Sequence, residues 1–543
     1  MKTSLPLIAL ILMLLLGCNE QEEPLVLDEG RIESAFHQAH AGKVVFLKKR
    51  RPVEELKEEQ LGAPLELVEE DEFLFYILQE KTQTYYLHQL APELSVNETC
   101  KKGSYQLRFF VDGEPLYEEN IQTGAGSCWF RNSATHPLVL LISEDEHWGK
   151  YTWTRFLNAI EGAKVLLDGQ SHDFGVEVRP YIQLDSLIVG PLIASGTTRL
   201  TFLQSDVDPA AVAVQPLQPA AHWTPSKASY EQGRIEALNT RIAQRYFKNI
   251  TSVAVLKKGE LLIEEYFNGA DRNTLHDTRS VGKSLCGTVM GIAIGEGHIS
   301  GADARLGDFY KLKEYAHYSP EKAAVLLKEL LTMSSGFEGS DMDPNSPGNE
   351  ENMYPTADWV KFTLDLPLDP EKTPGQTWDY FTAGVVVLGD ILHQQLPGGL
   401  EQYAAEKLLG PLHIDSHQWQ YTPQNVANTA GGFQTTTLNF ARYGQLYLDG
   451  GQYEGQQIVP AAWISESLSD QVELPEMAAA GTYGYLFWNK EYEVAGKRYR
   501  ASYASGNGGN KVMVIPELEL VIVLTATAYG QPYMHTQADE IIQ

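Results

Sequence analysis

The sequence is poor in cysteine and in positive charge, and each shortage excludes a class of protein. Four cysteines among 543 residues are too few for a disulfide-dense small module or an array of zinc modules. Lysine and arginine number 42 against 71 aspartates and glutamates, which gives a formal net charge of −29. Proteins that bind nucleic acid need clustered cations for the phosphates, so we expect no nucleic-acid partner. The 14 histidines form no His-Glu-x-x-His or cysteine–histidine motif, and the sequence therefore predicts no metal and no cofactor.

The length and the distribution of proline indicate more than one domain. At about 100–200 residues per domain, 543 residues suggest two or three, and 43% hydrophobic residues are enough to form their cores. One segment is rich in proline, which favours extended backbone over packed elements. Its four prolines are Pro209, Pro216, Pro219 and Pro225. We predict a linker over 209–228, between an N-terminal domain over 26–208 and a C-terminal domain over 229–543.

An apolar run close to the N-terminus is typical of a signal peptide. It extends over thirteen residues from Leu5 to Gly17, whereas a membrane-spanning helix needs about 20. The segment Leu15-Leu16-Gly17-Cys18 resembles the lipobox of bacterial lipoproteins, which implies that residues 1–18 are a lipoprotein signal peptide and that Cys18 carries the lipid. We then expect a protein of the bacterial cell envelope, on its periplasmic side or at the cell surface, whose only membrane contact is this anchor. The alternative is an ordinary secretory signal with an incidental cysteine.

Export would also determine the state of the other cysteines. In an oxidising envelope Cys100 and Cys128 can form a disulfide, and two buried thiols are the alternative. Cys286 lies in an apolar stretch with helical character, where a cysteine acts as a small core residue. We therefore expect one lipid anchor, one pair that is either bridged or reduced, and one core thiol.

Short runs of strand-forming residues dominate the N-terminal domain. The pair Asp112-Gly113 between two of these runs is a hairpin signal. The predicted strands are Glu72–Leu78, Thr84–Leu90, Tyr105–Val111 and Leu116–Ile121. Their spacing favours a β-sandwich or a similar module. The sequence of this domain contains no catalytic motif, and we assign it no function.

Two hairpins mark the ends of the C-terminal domain. Lys258-Gly259 joins strands predicted over Ser252–Leu256 and Leu261–Phe267, and Pro516-Glu517 joins another pair near the C-terminus. The patterns between the two hairpins are mostly helical. We predict an α+β fold in which distant segments close one antiparallel sheet, flanked by helices and interrupted by a helical insertion.

A serine and a lysine three residues apart begin the most apolar helix of this domain, at Ser280-Val281-Gly282-Lys283. Residues at this spacing lie on one face of a helix, so the Lys283 amine can reach the Ser280 hydroxyl. A serine becomes a nucleophile when a base takes its proton, and a buried lysine of lowered pKa can be that base. Glycine also recurs every four residues along the helix, which predicts close packing against another backbone. These glycines are Gly287, Gly291 and Gly295. The alternative is a capping serine beside a solvated lysine.

The same spacing occurs a second time, at Ser319-Pro320-Glu321-Lys322. Serine followed by proline is typical of a helix N-cap with proline in the first helical position. We therefore interpret the second copy as a cap and expect the chemistry at Ser280.

Several segments of the C-terminal domain follow one another in the order of a known family's motifs. They are Ser280–Ser284, Leu330–Phe337, Pro374–Tyr380, Gly431–Phe433 with Arg442–Gly444, and Gly506–Gly509 with Pro516–Leu518. On these segments the region 229–543 resembles the serine β-lactamase-like hydrolases. That group includes class C β-lactamases, D-alanyl-D-alanine peptidases, related esterases and 6-aminohexanoate-oligomer hydrolases. The resemblance implies a β-lactamase-like C-terminal domain.

The resemblance also implies roles for individual residues. Ser280 would be the nucleophile and Lys283 its base or proton relay. Tyr380 would move a proton between the serine and the leaving group, and an aromatic packing residue is its alternative role. The backbone N–H groups of Ser280 and Asn507, beside Gly506, would form the oxyanion hole.

Two positions depart from the family pattern. Thr382 stands where the family has the asparagine of Tyr-x-Asn, which contacts the lysine and the substrate. Ala504 stands in the first position of Lys-Thr-Gly or His-x-Gly, so the sequence lacks the cation that helps to bind a substrate carboxylate. The missing cation favours an esterase or amidase over a β-lactamase or a peptidase, and the two changes together also give some support to a non-catalytic binding protein.

Together these residues predict a serine hydrolase that cleaves a small-molecule ester or amide through an acyl-enzyme on Ser280. One alternative is a non-catalytic binding or sensor protein of the cell envelope that keeps the fold. Another is a carbohydrate or protein adhesin in which the N-terminal domain has the main role.

A long acidic loop over 334–354 follows one of the family segments. Its acids are Asp341, Asp343, Glu350 and Glu351. Loops of this length are uncommon unless they are functional, so we expect it to border the active cleft and to favour a neutral or cationic substrate. A solvated surface loop is the alternative.

Overall fold

A computed structural model describes residues 25–543, apart from 69–70, 124, 144, 146, 160–165, 167–168, 204–206, 219–221 and 476–480. Cys18, the predicted signal peptide and Pro219 lie outside the described residues, so lipid attachment stays a prediction. The chain divides into two compact units, residues 1–205 and 206–543, which we call unit 1 and unit 2. Within the described residues, no helix is both long enough and apolar enough to cross a membrane.

Unit 1 is built on one sheet of mixed strand direction. The described strands of this unit are β1 (Lys43–Leu47), β2 (Leu65–Leu67), β3 (Phe73–Leu78), β4 (Gly103–Val111), β5 (Glu114–Asn120), β6 (Leu138–Ile142), β7 (Ser171–Gln183), β8 (Leu187–Val189) and β9 (Ala194–Phe202). Their order is β5-β4-β7-β9-β1-β3-β6, with β2 on β9 and β8 on β7. Strands β1 and β2 run parallel to β9, whereas β4 lies between β5 and β7 and pairs with both in antiparallel fashion. The predicted hairpin at Asp112-Gly113 is present between β4 and β5.

Helices pack on this sheet where a sandwich would have its second sheet. The described helices of unit 1 are α1 (Ala35–Ala39), α2 (Gln83–Leu90), α3 (Val96–Lys102), α4 (Cys128–Ser133) and α5 (Trp148–Ala159). Phe156 of α5 stacks on Phe109 with ring centroids 5.0 Å apart, and Trp153 lies 5.6 Å from Phe174. One mixed sheet with helices thus replaces the sandwich that the strand spacing favoured, because large aromatic side chains on α5 bury the apolar face of the sheet.

The segment Thr84–Leu90, which strand propensity assigned to the sheet, lies in helix α2. Thr82 caps this helix, since its hydroxyl accepts a hydrogen bond from the Tyr85 N–H at 3.2 Å. Gln83 at the first position is buried and accepts a hydrogen bond from Arg131 at 2.7 Å. The cap and this buried contact outweigh the weak strand preference of the tyrosine and threonine residues.

The structure resolves the alternatives for the cysteines in the described residues. Cys100 at the end of α3 and Cys128 at the start of α4 are joined by a disulfide. Cys286 is a buried free thiol, and burial raises its pKa to about 12, so it is inert at neutral pH. Of the two alternatives that the sequence left open for Cys100 and Cys128, the structure contains the bridge, and the predicted core thiol is confirmed.

Unit 2 contains an antiparallel sheet whose strands come from both ends of the unit. The described strands of unit 2 are β10 (Ile250–Lys257), β11 (Glu260–Tyr266), β12 (His276–Asp277), β13 (His417–Trp419), β14 (Phe433–Thr435), β15 (Gln452–Tyr453), β16 (Gln456–Gln457), β17 (Val472–Glu473), β18 (Thr482–Tyr483), β19 (Trp488–Val494), β20 (Lys497–Gly506), β21 (Asn510–Ile515) and β22 (Leu520–Ala526). The main sheet has the order β11-β10-β22-β21-β20-β19-β18-β17. Strand β10 pairs with β22, so that Ser252 lies opposite Thr525. The predicted closure of the sheet by distant segments is confirmed.

Helices fill the interval between β11 and β19 and flank the sheet. The described helices of unit 2 are α6 (Pro209–Val212), α7 (Gln232–Ala243), α8 (Val281–Gly295), α9 (Leu306–Phe309), α10 (Pro320–Ala324), α11 (Leu327–Leu331), α12 (Glu350–Met353), α13 (Trp359–Asp365), α14 (Thr382–Gln395), α15 (Gly399–Ala404), α16 (Thr437–Leu448), α17 (Ala461–Ser467) and α18 (Met534–Ile542). A π-helical turn over Ala405–Leu409 continues α15. Helices α8 and α14 are buried along almost their whole length and form the centre of the helical region.

The glycines of α8 allow close packing against a backbone at Gly287, where a Cβ would lie 3.4 Å from the carbonyl oxygen of Tyr485, and against side chains at the other two positions. A Cβ atom on Gly291 would collide with the indole ring of Trp463, and one on Gly295 would lie 2.6 Å from Cγ of Pro460. The Trp463 indole also donates a hydrogen bond to the carbonyl oxygen of Gly287 at 2.9 Å. The segment of α17 and the residue before it therefore lie directly on α8 and hold the helix in one position.

The proline-rich segment belongs to unit 2 and lies along strand β11 of its main sheet. The side-chain amide of Gln215 donates to the carbonyl oxygen of Tyr266 at 2.8 Å. The Leu261 N–H donates to the carbonyl oxygen of Thr224 at 2.9 Å, and the Ser226 N–H donates to that of Leu261 at 2.8 Å. Strand β11 is at the edge of the sheet and has unpaired backbone groups, which explains why the extended segment lies along it.

Candidate active site

Ser280 is the residue directly before α8, and Lys283 lies in the first turn of that helix. The Lys283 amine donates a hydrogen bond to Oγ of Ser280 at 2.8 Å and a second one to the carbonyl oxygen of Ala430 at 2.5 Å. Gly431, the next residue, approaches within 3.6 Å of the position that a Cβ on Gly282 would occupy. The segment that contains Ala430 therefore lies against the start of α8 and orients the amine toward the hydroxyl.

The Lys283 side chain is 2% exposed. Burial lowers the pKa of its amine, while the negative charges of Glu350 and Asp341 act in the opposite direction. A lowered pKa increases the fraction of the amine that is neutral, and only a neutral amine can take a proton from a serine. The environment of Lys283 is thus that of a general base.

Tyr380 completes a three-residue cluster. Its ring centroid is 5.3 Å from the Lys283 amine nitrogen, and its hydroxyl lies close enough to the Ser280 side chain for that side chain to lower its pKa, against the larger effect of burial. Burial raises the pKa of the phenol, so Tyr380 is neutral at physiological pH and can donate a proton rather than take one. Trp378 and Trp488 pack against the ring, with centroids 6.1 and 5.9 Å away, and fix its orientation.

The end of β20 lies against the start of α8. A Cβ atom on Gly506 would collide with the carbonyl oxygen of Thr278 and lie 3.1 Å from the backbone nitrogen of Ser280, so glycine is required here. The side-chain oxygen of Asn507 accepts a hydrogen bond from the Gly530 N–H at 2.8 Å. The strand therefore brings Gly506 and Asn507 beside the Ser280 backbone, where the oxyanion hole is predicted.

Thr382 begins α14 and its side chain is 1% exposed. Its backbone N–H donates to a carboxylate oxygen of Asp341 at 2.7 Å. The structure thus brings Thr382 next to Tyr380 and Asp341, and contact with a substrate stays a prediction. Ala504 is fully buried in the core of unit 2.

Asp341 connects the acidic loop to the segment that contains Tyr380. Its backbone N–H donates to the carbonyl oxygen of Tyr380 at 2.8 Å, and its carboxylate accepts from the Glu350 N–H, also at 2.8 Å. Burial and the charge of Glu350 raise the pKa of the Asp341 carboxyl. The acidic composition of the loop suggested a role at the cleft, but only the tertiary structure reveals that Asp341 caps α14 behind the tyrosine.

The second Ser-x-x-Lys copy has a different arrangement. The Ser319 hydroxyl accepts a hydrogen bond from the backbone N–H of Lys322 at 3.0 Å, and proline follows in the first helical position. The Lys322 amine donates to the carbonyl oxygens of Ala316, Leu364 and Leu366. The interpretation of this copy as a helix cap is confirmed.

An antiparallel sheet, a buried helix that begins with Ser-x-x-Lys and a tyrosine beside that pair are the features of the β-lactamase-like serine hydrolases. The chain belongs to the beta-lactamase family, since the family described as Beta-lactamase matches residues 243–543, more than half of the chain. Proteins similar to the chain include one named as a 6-aminohexanoate-dimer hydrolase and one named as a carboxylesterase.

Three proteins are compared with the chain, one similar in sequence and two similar in fold. The 6-aminohexanoate-dimer hydrolase of Paenarthrobacter ureafaciens is 25% identical over 260 residues, which are 44% of this chain and 62% of that protein. The chain therefore spans less than two thirds of the length of that curated relative. A penicillin-binding protein homologue from Caulobacter crescentus is 15% identical with a TM-score of 0.45, over 59% of this chain and 97% of that one. A family VIII carboxylesterase is 18% identical with a TM-score of 0.44, over 57% of this chain and 95% of that one.

Proposed function

We propose that the protein is a serine hydrolase that cleaves a small ester or amide through a covalent acyl-enzyme on Ser280. The observation that carries this proposal is the 2.8 Å hydrogen bond between Lys283 and Ser280, made by an amine that is 2% exposed. A solvated lysine would be protonated and could not activate the serine.

In the acylation step, the Ser280 oxygen forms a bond to the carbonyl carbon of the substrate while its proton passes to the neutral Lys283 amine. The carbonyl π electrons move to the oxygen, and the resulting oxyanion is stabilised by the N–H groups of Ser280 and Asn507. The intermediate collapses when the bond to the leaving group breaks. Tyr380 donates its proton to the leaving oxygen or nitrogen and receives one from the protonated Lys283, which returns the amine to its neutral form.

In the deacylation step, water attacks the acyl carbon of the ester formed on Ser280. Its proton passes through Tyr380 and Lys283, and the Ser280 oxygen leaves and is reprotonated by the same pair. The acid is released and the enzyme returns to its starting state. The chain's own side chains thus account for every proton in the cycle.

The surroundings of the cluster favour a substrate without a carboxylate near the scissile bond. Ala504 contributes no cation, and the charges of Asp341 and Glu350 act on both Lys283 and Tyr380. We therefore propose an esterase or amidase for neutral or cationic acyl compounds, held at the bacterial cell envelope by a lipid on Cys18.

Labelling with a fluorophosphonate probe tests the nucleophile. We expect the wild-type protein to be labelled and Ser280→Ala to remain unlabelled. A screen of aryl esters, D-amino-acid amides and nitrocefin then identifies the substrate class, and we expect turnover of esters or amides but not of nitrocefin. Absence of labelling together with absence of turnover would instead favour the non-catalytic binding or sensor protein.

A further inference from the structure

Unit 2 contains a group of metal-ligating side chains outside the catalytic cluster. His222 lies in the segment along β11, His413 follows the π-helical turn, and Glu454 is in the turn between β15 and β16. One ligand atom from each lies within 4.8 Å of the other two. Nε2 of His413 is 3.0 Å from one carboxylate oxygen of Glu454, and Nδ1 of His222 is 3.8 Å from the other.

These separations suit a tetrahedral ion of the zinc type. Zinc binds imidazole nitrogen and carboxylate oxygen at about 2.0–2.2 Å, so two ligand atoms on one tetrahedral ion are about 3.3–3.5 Å apart. The two observed distances end on different oxygens of Glu454 and lie on either side of that value, so the side chains have to turn to bring one oxygen and both nitrogens onto a single ion. Two histidines and one glutamate also form a ligand set that zinc proteins use, with water in the fourth position. We propose that His222, His413 and Glu454 bind a divalent transition-metal ion, of which Zn²⁺ is the best match.

The surrounding residues hold two of the ligands in place before any ion binds. The guanidinium of Arg442 donates to the carbonyl oxygen of His413 at 2.7 Å, and it also lies over the ring of Trp223, 5.3 Å from the centroid. Trp223 directly follows His222. Arg442 therefore contacts both the backbone of His413 and the residue next to His222. The two imidazole rings stack with centroids 4.1 Å apart, so one ring has to turn before both nitrogens can direct their lone pairs at one ion.

The turn between β15 and β16 directs the third ligand. Glu454 and Gly455 have φ values of 49° and 80°, as in the type I′ turns that close two-residue hairpins. A glutamate at such a position is unfavourable compared with asparagine or glycine. The contacts of the Glu454 carboxylate with both histidines compensate for this unfavourable backbone conformation.

The three ligands come from segments that are far apart in the sequence. A bound ion would join the proline-rich segment to two loops of the helical region and would stabilise the folded chain, because the unfolded chain does not bring the three ligands together. The side chains are between 34% and 56% exposed, so an ion can reach them from solvent. We therefore infer that the ion would hold the proline-rich segment against the helical region of unit 2, with one coordination position left open to water.

Cobalt binding tests the site directly. The purified full-length protein is treated with a chelator, dialysed and titrated with Co²⁺, whose visible absorption in a tetrahedral site differs from that of the aqueous ion. We expect one Co²⁺ per chain, displacement by an equivalent of Zn²⁺, and a higher unfolding temperature with metal than without it. Each of His222→Asn, His413→Asn and Glu454→Gln should weaken binding at least tenfold.

His317→Asn is the matched control. His317 is exposed in unit 2 and has a φ of 51°, close to the 64° and 53° of the two proposed ligands, so the same substitution imposes the same backbone demand. Binding should be unchanged in this variant. Equal affinity in wild type and His222→Asn, or an absorption spectrum that stays that of aqueous Co²⁺, would overturn the proposal and leave the cluster as a hydrogen-bonded ion pair.

Discussion

The two Ser-x-x-Lys copies have the same spacing and both lysines are buried, yet their hydrogen bonds differ completely. Lys283 directs its amine at the serine oxygen, whereas Lys322 directs its amine at three backbone carbonyls. In the second copy the serine oxygen is engaged by a backbone N–H instead. The comparison teaches that the spacing brings a lysine close to a serine, but the acceptors around the amine decide whether it can act as a base.

The number of acceptors explains the difference. Burial lowers the pKa of Lys322 to about 8, but a neutral amine has only two N–H groups for three carbonyls. The carbonyls therefore favour the ammonium form at that site. Lys283 has one carbonyl and one hydroxyl as partners, and both can be satisfied when the amine is neutral.

Exchanging each serine for alanine should give the largest contrast. Ser280→Ala removes the proposed nucleophile, and we expect turnover of an aryl ester to fall by at least about 1000-fold with little change in stability. Ser319→Ala removes a helix cap, and we expect it to lower the free energy of unfolding by about 1 kcal/mol with turnover unchanged. Steady-state kinetics and urea unfolding measure both quantities. A large loss of turnover in Ser319→Ala would reverse the assignment of the two copies.

Replacing the lysines should separate catalysis from stability. Lys283→Met leaves the nucleophile without a base, so we expect kcat to fall by at least about 100-fold. Lys322→Met leaves three buried carbonyls without a donor, and we expect the free energy of unfolding to fall by about 3 kcal/mol or more. The same two measurements apply to both variants. If Lys283→Met retained full kcat, another group would have to be the base.

The pH dependence of kcat/KM should report the first lysine. Burial lowers the pKa of Lys283 below the ordinary value of 10.5, and the neutral amine is the active form. Activity should therefore rise with pH by about tenfold per unit below that pKa and level off above it, with a midpoint below 10.5. A profile in which activity falls as the pH rises toward 10.5 would contradict a lysine base, because the neutral form becomes more populated in that direction. Ser319→Ala should show the wild-type profile.

The smallest expected effect is a change in the preference of the enzyme for cationic over anionic substrates. Glu350 acts electrostatically on Lys283, whereas Glu351 beside it is exposed. We expect Glu350→Gln to reduce the preference for a cationic over an anionic aryl ester by about 2- to 10-fold, which corresponds to a partly screened charge interaction. Glu351→Gln is the matched control and should leave the preference unchanged. Equal effects of the two variants would indicate a general charge effect rather than one at the cleft.

The sequence was most informative where the determinants are local. The hairpin at Asp112-Gly113, the cap at Ser319 and the buried thiol of Cys286 follow from short patterns, and the structure contains each of them. The strand predicted over Thr84–Leu90 was wrong, because a capping threonine and a buried contact outweigh intrinsic propensity.

The determinants that the sequence could not reveal are tertiary. The Asp341 carboxylate accepts a hydrogen bond from the backbone of Thr382, which is 41 residues away in the sequence, and no sequence pattern predicts this contact. His222, His413 and Glu454 match no metal motif, since each lies on a different segment. Sites of this kind become visible only after the fold has brought the segments together.

The pairing of β10 with β22 determines when unit 2 can finish folding. The hydroxyls of Ser252 and Thr525 form a hydrogen bond across 273 residues of chain. A ribosome that adds about 5–20 residues per second needs roughly 15–55 s to synthesise that interval. Throughout this time β10 lacks one neighbour, and its apolar face is open to aggregation unless the nascent chain is held unfolded. Because of this strand order, the main sheet of unit 2 is complete only after its last strand, β22, has been synthesised and has paired with β10.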